Sequence, residues 1–81
     1  MKNNVYVIYN KLSCRYGDVQ AYPTDSFAVT RIREIFASQH FDVGEIELCR
    51  VGSIDIETGV VDGSNPVRVD MTQGLVSNEN S

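Results

Sequence analysis

The stretch Val51-Gly52-Ser53-Ile54-Asp55-Ile56-Glu57-Thr58-Gly59-Val60-Val61 decides the fold. An apolar run enters an Asp-x-x-Thr-Gly segment and leaves it apolar again. An Asp side chain accepts backbone N–H bonds two or three residues on, and a closing glycine supplies the left-handed residue of a bulged turn. The stretch predicts a β-hairpin with Asp55, Thr58 and Gly59 as its structural turn residues. Gly52, where the alternation changes phase, predicts a bulge or bend in the incoming strand.

Upstream, Glu45 to Val51 alternates, with Ile46 and Leu48 on one side and Glu45 and Glu47 on the other. Downstream, the composition of Asp62-Gly63-Ser64-Asn65-Pro66 predicts a loop. Val67 to Met71 alternates as a last strand at an edge, and the polar segment 72–81 predicts a flexible tail. In the other half, Val5-Tyr6-Val7-Ile8-Tyr9 is β-branched and aromatic on both faces and predicts a central strand. Asn10 to Ser13 predicts a loop, Gly17-Asp18 a turn, and Val19 to Tyr22 a short strand stopped by Pro23. Thr24, Asp25 and Ser26 can each cap a helix. The helix then runs to about Gln39, with Ala28, Ile32, Ile35 and Phe36 on its apolar stripe and Val29 at the flank. Phe41 is expected to fold back and help close the core.

The order β–β–α–β–β–β predicts an α+β fold, one helix packed on a mostly antiparallel sheet in two layers. Residues 1–71 are expected to form a single domain, followed by the tail. One helix covers one sheet face. The other face, expected to show Tyr6 and Tyr9, stays open or meets a second subunit, which is a geometric motive for a homodimer.

The 81 residues carry a net charge of −4, unevenly spread. Residues 1–40 hold five basic and three acidic side chains, whereas residues 41–81 hold Arg50 and Arg68 against eight acids. Phosphate binding wants a basic excess, so any nucleic-acid surface is expected in the N-terminal half. No apolar run approaches the roughly 20 residues of a membrane span. Lys2 followed by alternating residues does not have the pattern of a signal peptide.

The chemistry-bearing residues are few. His40 is the only histidine, and Cys14 and Cys49 lie far apart, so a closely spaced zinc set is absent. Both cysteines are expected to be buried small hydrophobes; a disulfide between them requires the fold to bring them together. Asp55, Glu57, Asp62 and Asp70 match no calcium-loop spacing and are expected to be a turn cap and solvated acids. No nucleophile–base pair, phosphate loop or dinucleotide motif stands out, so the expectation is a protein that is not an enzyme and needs no cofactor. The candidates for binding are Tyr6, Tyr9, Lys11, Arg15, Tyr16 and Tyr22, with Arg31 and Arg33. Aromatic rings stack on unpaired bases while cations track phosphates. The plainer reading stands beside it: tyrosines filling a small sheet, and cations keeping the surface soluble.

Three blocks, in order, resemble the small nonstructural protein of gokushovirus-type microviruses, phages with a circular single-stranded DNA genome. Val5-Tyr6-Val7-Ile8-Tyr9-Asn10-Lys11 is similar to the family's opening strand, with Asn10 where Asp is usual. The block from Tyr22 to Phe36 resembles its helix, where an Ala-x-x-Arg-x-Phe pattern is common: Ala28 and Arg31 match it, Ile32 and Arg33 agree only loosely, and the family's Pro-rich stretch before the helix is reduced to Pro23. Glu47 to Val61 resembles its Leu-x-x-aliphatic-Gly-x-Phe-Asp-x-x-Thr-Gly stretch, with Ile54 in place of Phe. The resemblance implies a nonstructural accessory protein made in the host bacterial cytoplasm and acting in viral single-stranded DNA synthesis or packaging, through DNA binding. The alternative is an adaptor for phage replication or assembly proteins or a host factor. The family brings no catalytic residues to carry over.

Overall fold

The computed structural model describes residues 1–38 and 43–71. His40, Phe41 and the expected tail over 72–81 lie outside the described residues. The elements are β1 (Lys2–Asn10), β2 (Arg15–Tyr22), α1 (Asp25–Ser38), a short 3-10 turn (Val43–Glu45), β3 (Ile46–Asp55) and β4 (Val61–Val69). The fold is α+β, one helix on a four-stranded antiparallel sheet ordered β2-β1-β3-β4. The strand that is apolar on both faces, β1, lies inside the sheet, with β2 on one edge and β3 on the other.

Two hairpins build the sheet. In the first, Asn10 Oδ1 accepts the backbone N–H groups of Leu12 at 2.9 Å and Ser13 at 3.1 Å. Cys14 then takes a left-handed conformation, φ 57°, to start β2. In the second, Asp55 Oδ1 accepts the N–H of Glu57 at 2.9 Å and of Thr58 at 3.3 Å. Thr58 Oγ1 accepts the N–H of Val60 at 3.3 Å, and Gly59 supplies the left-handed residue at φ 78°.

The fifth strand expected from the sequence does not exist as a separate element. Asp62 to Pro66 belongs to β4 rather than to a loop. Arg50 faces Val67 and Gly52 faces Gly63, so Ser64, Asn65 and Pro66 stand opposite Val51 alone. The residues whose composition suggested a loop form a bulge within an edge strand. Proline is tolerated there because the outer side of an edge strand makes no ladder bonds.

Alternation divides the sheet into two faces. Tyr6 and Ile8 of β1, Ile46 and Leu48 of β3 and Val69 of β4 join Ala28, Val29 and Ile32 of α1 in one core. Tyr22, Phe36 and Met71 pack around it. Val29 sits at the centre of the helix contact and not at its flank, with none of its surface exposed, whereas Ile35 is half-buried.

Of the three residues able to cap α1, Thr24 does so. Its Oγ1 accepts the N–H of Phe27 at 3.1 Å, and its carbonyl accepts that of Ala28 at 3.0 Å. Replacing Thr24 by Ala should lower stability by about 1 kcal/mol. A urea melt followed by circular dichroism checks this, and an unchanged midpoint would assign the cap elsewhere.

Candidate functional site

The helix-side face holds a polar network inside its apolar surroundings. Tyr6, only 1% exposed, donates its hydroxyl to Asp25 Oδ1 at 2.6 Å. Asn4 Nδ2 donates to the same hydroxyl at 3.1 Å. Arg50 Nη1 donates to Asp25 Oδ2 at 2.5 Å, so one carboxylate holds both groups. The Arg50 guanidinium holds the Asp25 carboxyl below the usual carboxylate range, with the Tyr6 hydroxyl adding to it. Burial, and then the hydrogen bond to Asp25, push the Tyr6 hydroxyl up to about 12. Asp25 opens α1 and Tyr6 and Arg50 face each other across β1 and β3, so the network fastens the helix start to the sheet centre.

The opposite face is different. Val7 lies between Tyr6 and Ile8 and so points away from the helix. Directly opposite it stand Val19 of β2 and Cys49 of β3, which share its face. The same pairing places Val5 with Ala21, Tyr9 with Tyr16 and Glu47, and Ile54 with Val61 on this side. Val19, Tyr16 and Val61 are 67%, 56% and 57% exposed. Among the described residues, no helix or strand covers this face. Its charged ladder residues are Glu47 and Arg68, which pair with each other at 3.2 Å. The Tyr9 and Tyr16 rings stand 4.8 Å apart at one corner.

Of the residues proposed from sequence as one nucleic-acid surface, Tyr9 and Tyr16 meet, but the set as a whole does not share one side. Tyr6 is a correction: it is buried beneath α1 and has no ring face for a base. The shared side expected for the tyrosines and for Arg31 and Arg33 is a second correction, because those arginines sit on the helix and Tyr9 and Tyr16 on the opposite sheet face. Arg31 pairs with Glu34 at 3.1 Å, and Arg33 reaches the Met71 carbonyl at 3.5 Å. Lys11 is in the first hairpin loop and donates its Nζ to the Gly44 carbonyl at 3.1 Å. Arg15 is exposed at the start of β2. Tyr22 packs on the helix side, 5.6 Å from the Phe27 ring and 6.0 Å from that of Tyr6, with its hydroxyl bonded to Gln20.

Asp25 and Arg50 were not singled out together by the sequence reading. The signal was present: Arg50 is in phase with Ile46 and Leu48, and a cation in the buried phase of a strand wants a carboxylate.

The cysteines are both free. Cys49 is buried, as expected, and Cys14 is exposed in the hairpin loop, against expectation, because a four-residue loop has nothing to bury it in. Burial and the nearby Glu47 push the Cys49 thiol up, away from reactivity. Cys14 acts through a hydrogen bond on Tyr9 and raises its hydroxyl. A hollow of about 390 Å³ is lined by Lys11, Glu47, Arg68 and Met71, but its Lys11 and Arg68 are engaged by Gly44 and Glu47. Among the described residues no set of three or more His, Cys, Asp or Glu side chains could hold a metal ion. None of their helices is long and apolar enough to cross a membrane. No known protein family matches the chain, and no curated protein or solved structure matches it.

Proposed function

We propose that this chain is a non-enzymatic, dimeric accessory protein of a small single-stranded DNA phage, acting in the host cytoplasm as a protein-interaction adaptor for replication or assembly proteins. The phage setting rests on the resemblance of its three sequence blocks to the gokushovirus nonstructural protein. The adaptor role rests on one observation: the uncovered sheet face is apolar, and its charged pair, Glu47 and Arg68, is mutually neutralised. Such a face suits another protein surface and offers phosphates little. Around the β3–β4 turn Asp62 pairs with Lys2 at 3.6 Å, Glu57 pairs with the N-terminal ammonium at 3.8 Å, and Asp55 caps the turn, so this end keeps only a small acidic excess.

A second reading, single-stranded DNA binding, is favoured by the Tyr9–Tyr16 ring pair on the open face. Fluorescence anisotropy of a labelled single-stranded oligonucleotide, titrated at low and at physiological salt, separates the two. The adaptor reading expects no saturable binding at physiological salt. Saturable, salt-sensitive binding that Tyr16→Ala weakens would replace it with the DNA reading.

A further inference from the structure

We propose that the occupant of the open sheet face is a second copy of this chain, packed face to face about a two-fold axis. The inference rests on the reading of that face as a protein-docking surface and names its partner.

Area is the first argument. Four strands of eight to ten residues form the sheet. With strands about 4.8 Å apart and about 3.3 Å per residue, one face covers on the order of 550 Å². Two such faces together remove roughly 1,100 Å², above the roughly 1,000 Å² that a specific interface needs.

Charge is the second argument. Each copy carries −4, so two copies repel unless their contact is neutral. Off this face, Asp25 is neutralised by Arg50, and at the hairpin end Asp55, Glu57 and Asp62 outnumber Lys2 and the N-terminal ammonium by one charge. The open face keeps only the Glu47–Arg68 pair among its ladder residues. A strongly basic partner would meet no net charge here, whereas an identical neutral face meets its match.

Shape is the third. In a two-fold contact each patch must complement itself. The solvent-facing apolar surface lies on the two edge strands, where Val19 and Val61 are 67% and 57% exposed, while Val7 and Cys49 between them are 7% and 4% exposed. Apolar sheet faces of this kind pack about 10 Å apart with side chains interleaved. The dimer leaves both helices outward.

The test measures the mass of the full chain by light scattering coupled to size exclusion, across micromolar concentrations. Wild type should run as a dimer of the 9.0 kDa chain. Val19→Lys should run as a monomer with unchanged circular dichroism, since Val19 is exposed and its substitution leaves the helix-side core intact. Val67→Lys, an exposed apolar residue opposite Arg50 on the helix side, should remain dimeric. A monomeric wild type overturns the second copy, and with it the dimeric state proposed above, while the adaptor role is judged separately by the DNA titration. A dimer that survives Val19→Lys and Val61→Lys overturns the assignment of the face.

Discussion

Gly52→Ala should abolish or nearly abolish folding. A Cβ at this position would lie 2.1 Å from the Asp62 carbonyl oxygen and 3.0 Å from both the Asp62 carbonyl carbon and the Gly63 Cα. All three atoms are backbone, so no side chain can swing aside. The φ of Gly52 is +153°, a conformation that residues with a Cβ rarely adopt. The backbone strain alone costs about 1–3 kcal/mol, and forcing β4 away from β3 adds lost ladder bonds and packing. The total is expected to exceed about 3 kcal/mol, against roughly 4–12 kcal/mol for a whole domain of this size. Urea denaturation should show the midpoint falling by more than about 1 M, or no cooperative transition at all. Gly63→Ala is the control. Gly63 faces Gly52 across the strands, yet a Cβ there would meet nothing within 4 Å. Its midpoint should move by less than about 0.5 kcal/mol in stability terms. Equal effects of the two substitutions would show that the close approach of β3 and β4 does not constrain the fold.

That glycine also shows what a sequence can and cannot disclose. The change of phase near Gly52 was legible, because a period-two pattern that slips must do so at a bulge. The second half of the same irregularity was not. Ser64, Asn65 and Pro66 have loop composition, and nothing local says that they bulge out of a strand whose flanks still pair with β3. The helix was legible from its periodicity and its cap-capable start. The choice of Thr24 as cap depends on the approach angle of the chain, which only the tertiary fold sets. The side on which Tyr6 lies was likewise hidden. Tyr6 and Tyr9 lie three apart in one strand and therefore occupy opposite faces, but which face receives the helix is decided by Ile46, Leu48 and Val69 far along the chain. A surface assembled from residue types in the first 33 positions thus divides between two layers once the strands pair.

Asp25→Ala should cost about 2–3 kcal/mol, the second-largest loss expected here. The substitution leaves the buried Tyr6 hydroxyl without its acceptor and the half-buried Arg50 without its counter-ion. A fully buried pair broken in this way costs about 3–5 kcal/mol; Asp25 and Arg50 retain some solvent contact, so the lower figure applies. Tyr6→Phe keeps the ring and removes only the hydroxyl, and should cost about 1 kcal/mol. A double-mutant cycle between the two should show coupling, because Asp25 holds the hydroxyl directly. The pH dependence gives an independent check. The folded Asp25 carboxyl titrates below its unfolded value of about 3.9, so its stabilisation is present above that pH and is lost as pH falls through the folded value. Wild type and Asp25→Ala should therefore converge in acid. Tyr6 acts in the opposite sense: its hydroxyl is raised to about 12 in the fold, so the folded state holds the proton more tightly. That stabilisation is complete below about pH 10 and is lost between there and about 12. Urea midpoints measured across the alkaline range should fall in wild type and fall less in Tyr6→Phe. Parallel alkaline curves would mean that the Tyr6 hydroxyl does not fasten the helix to the sheet.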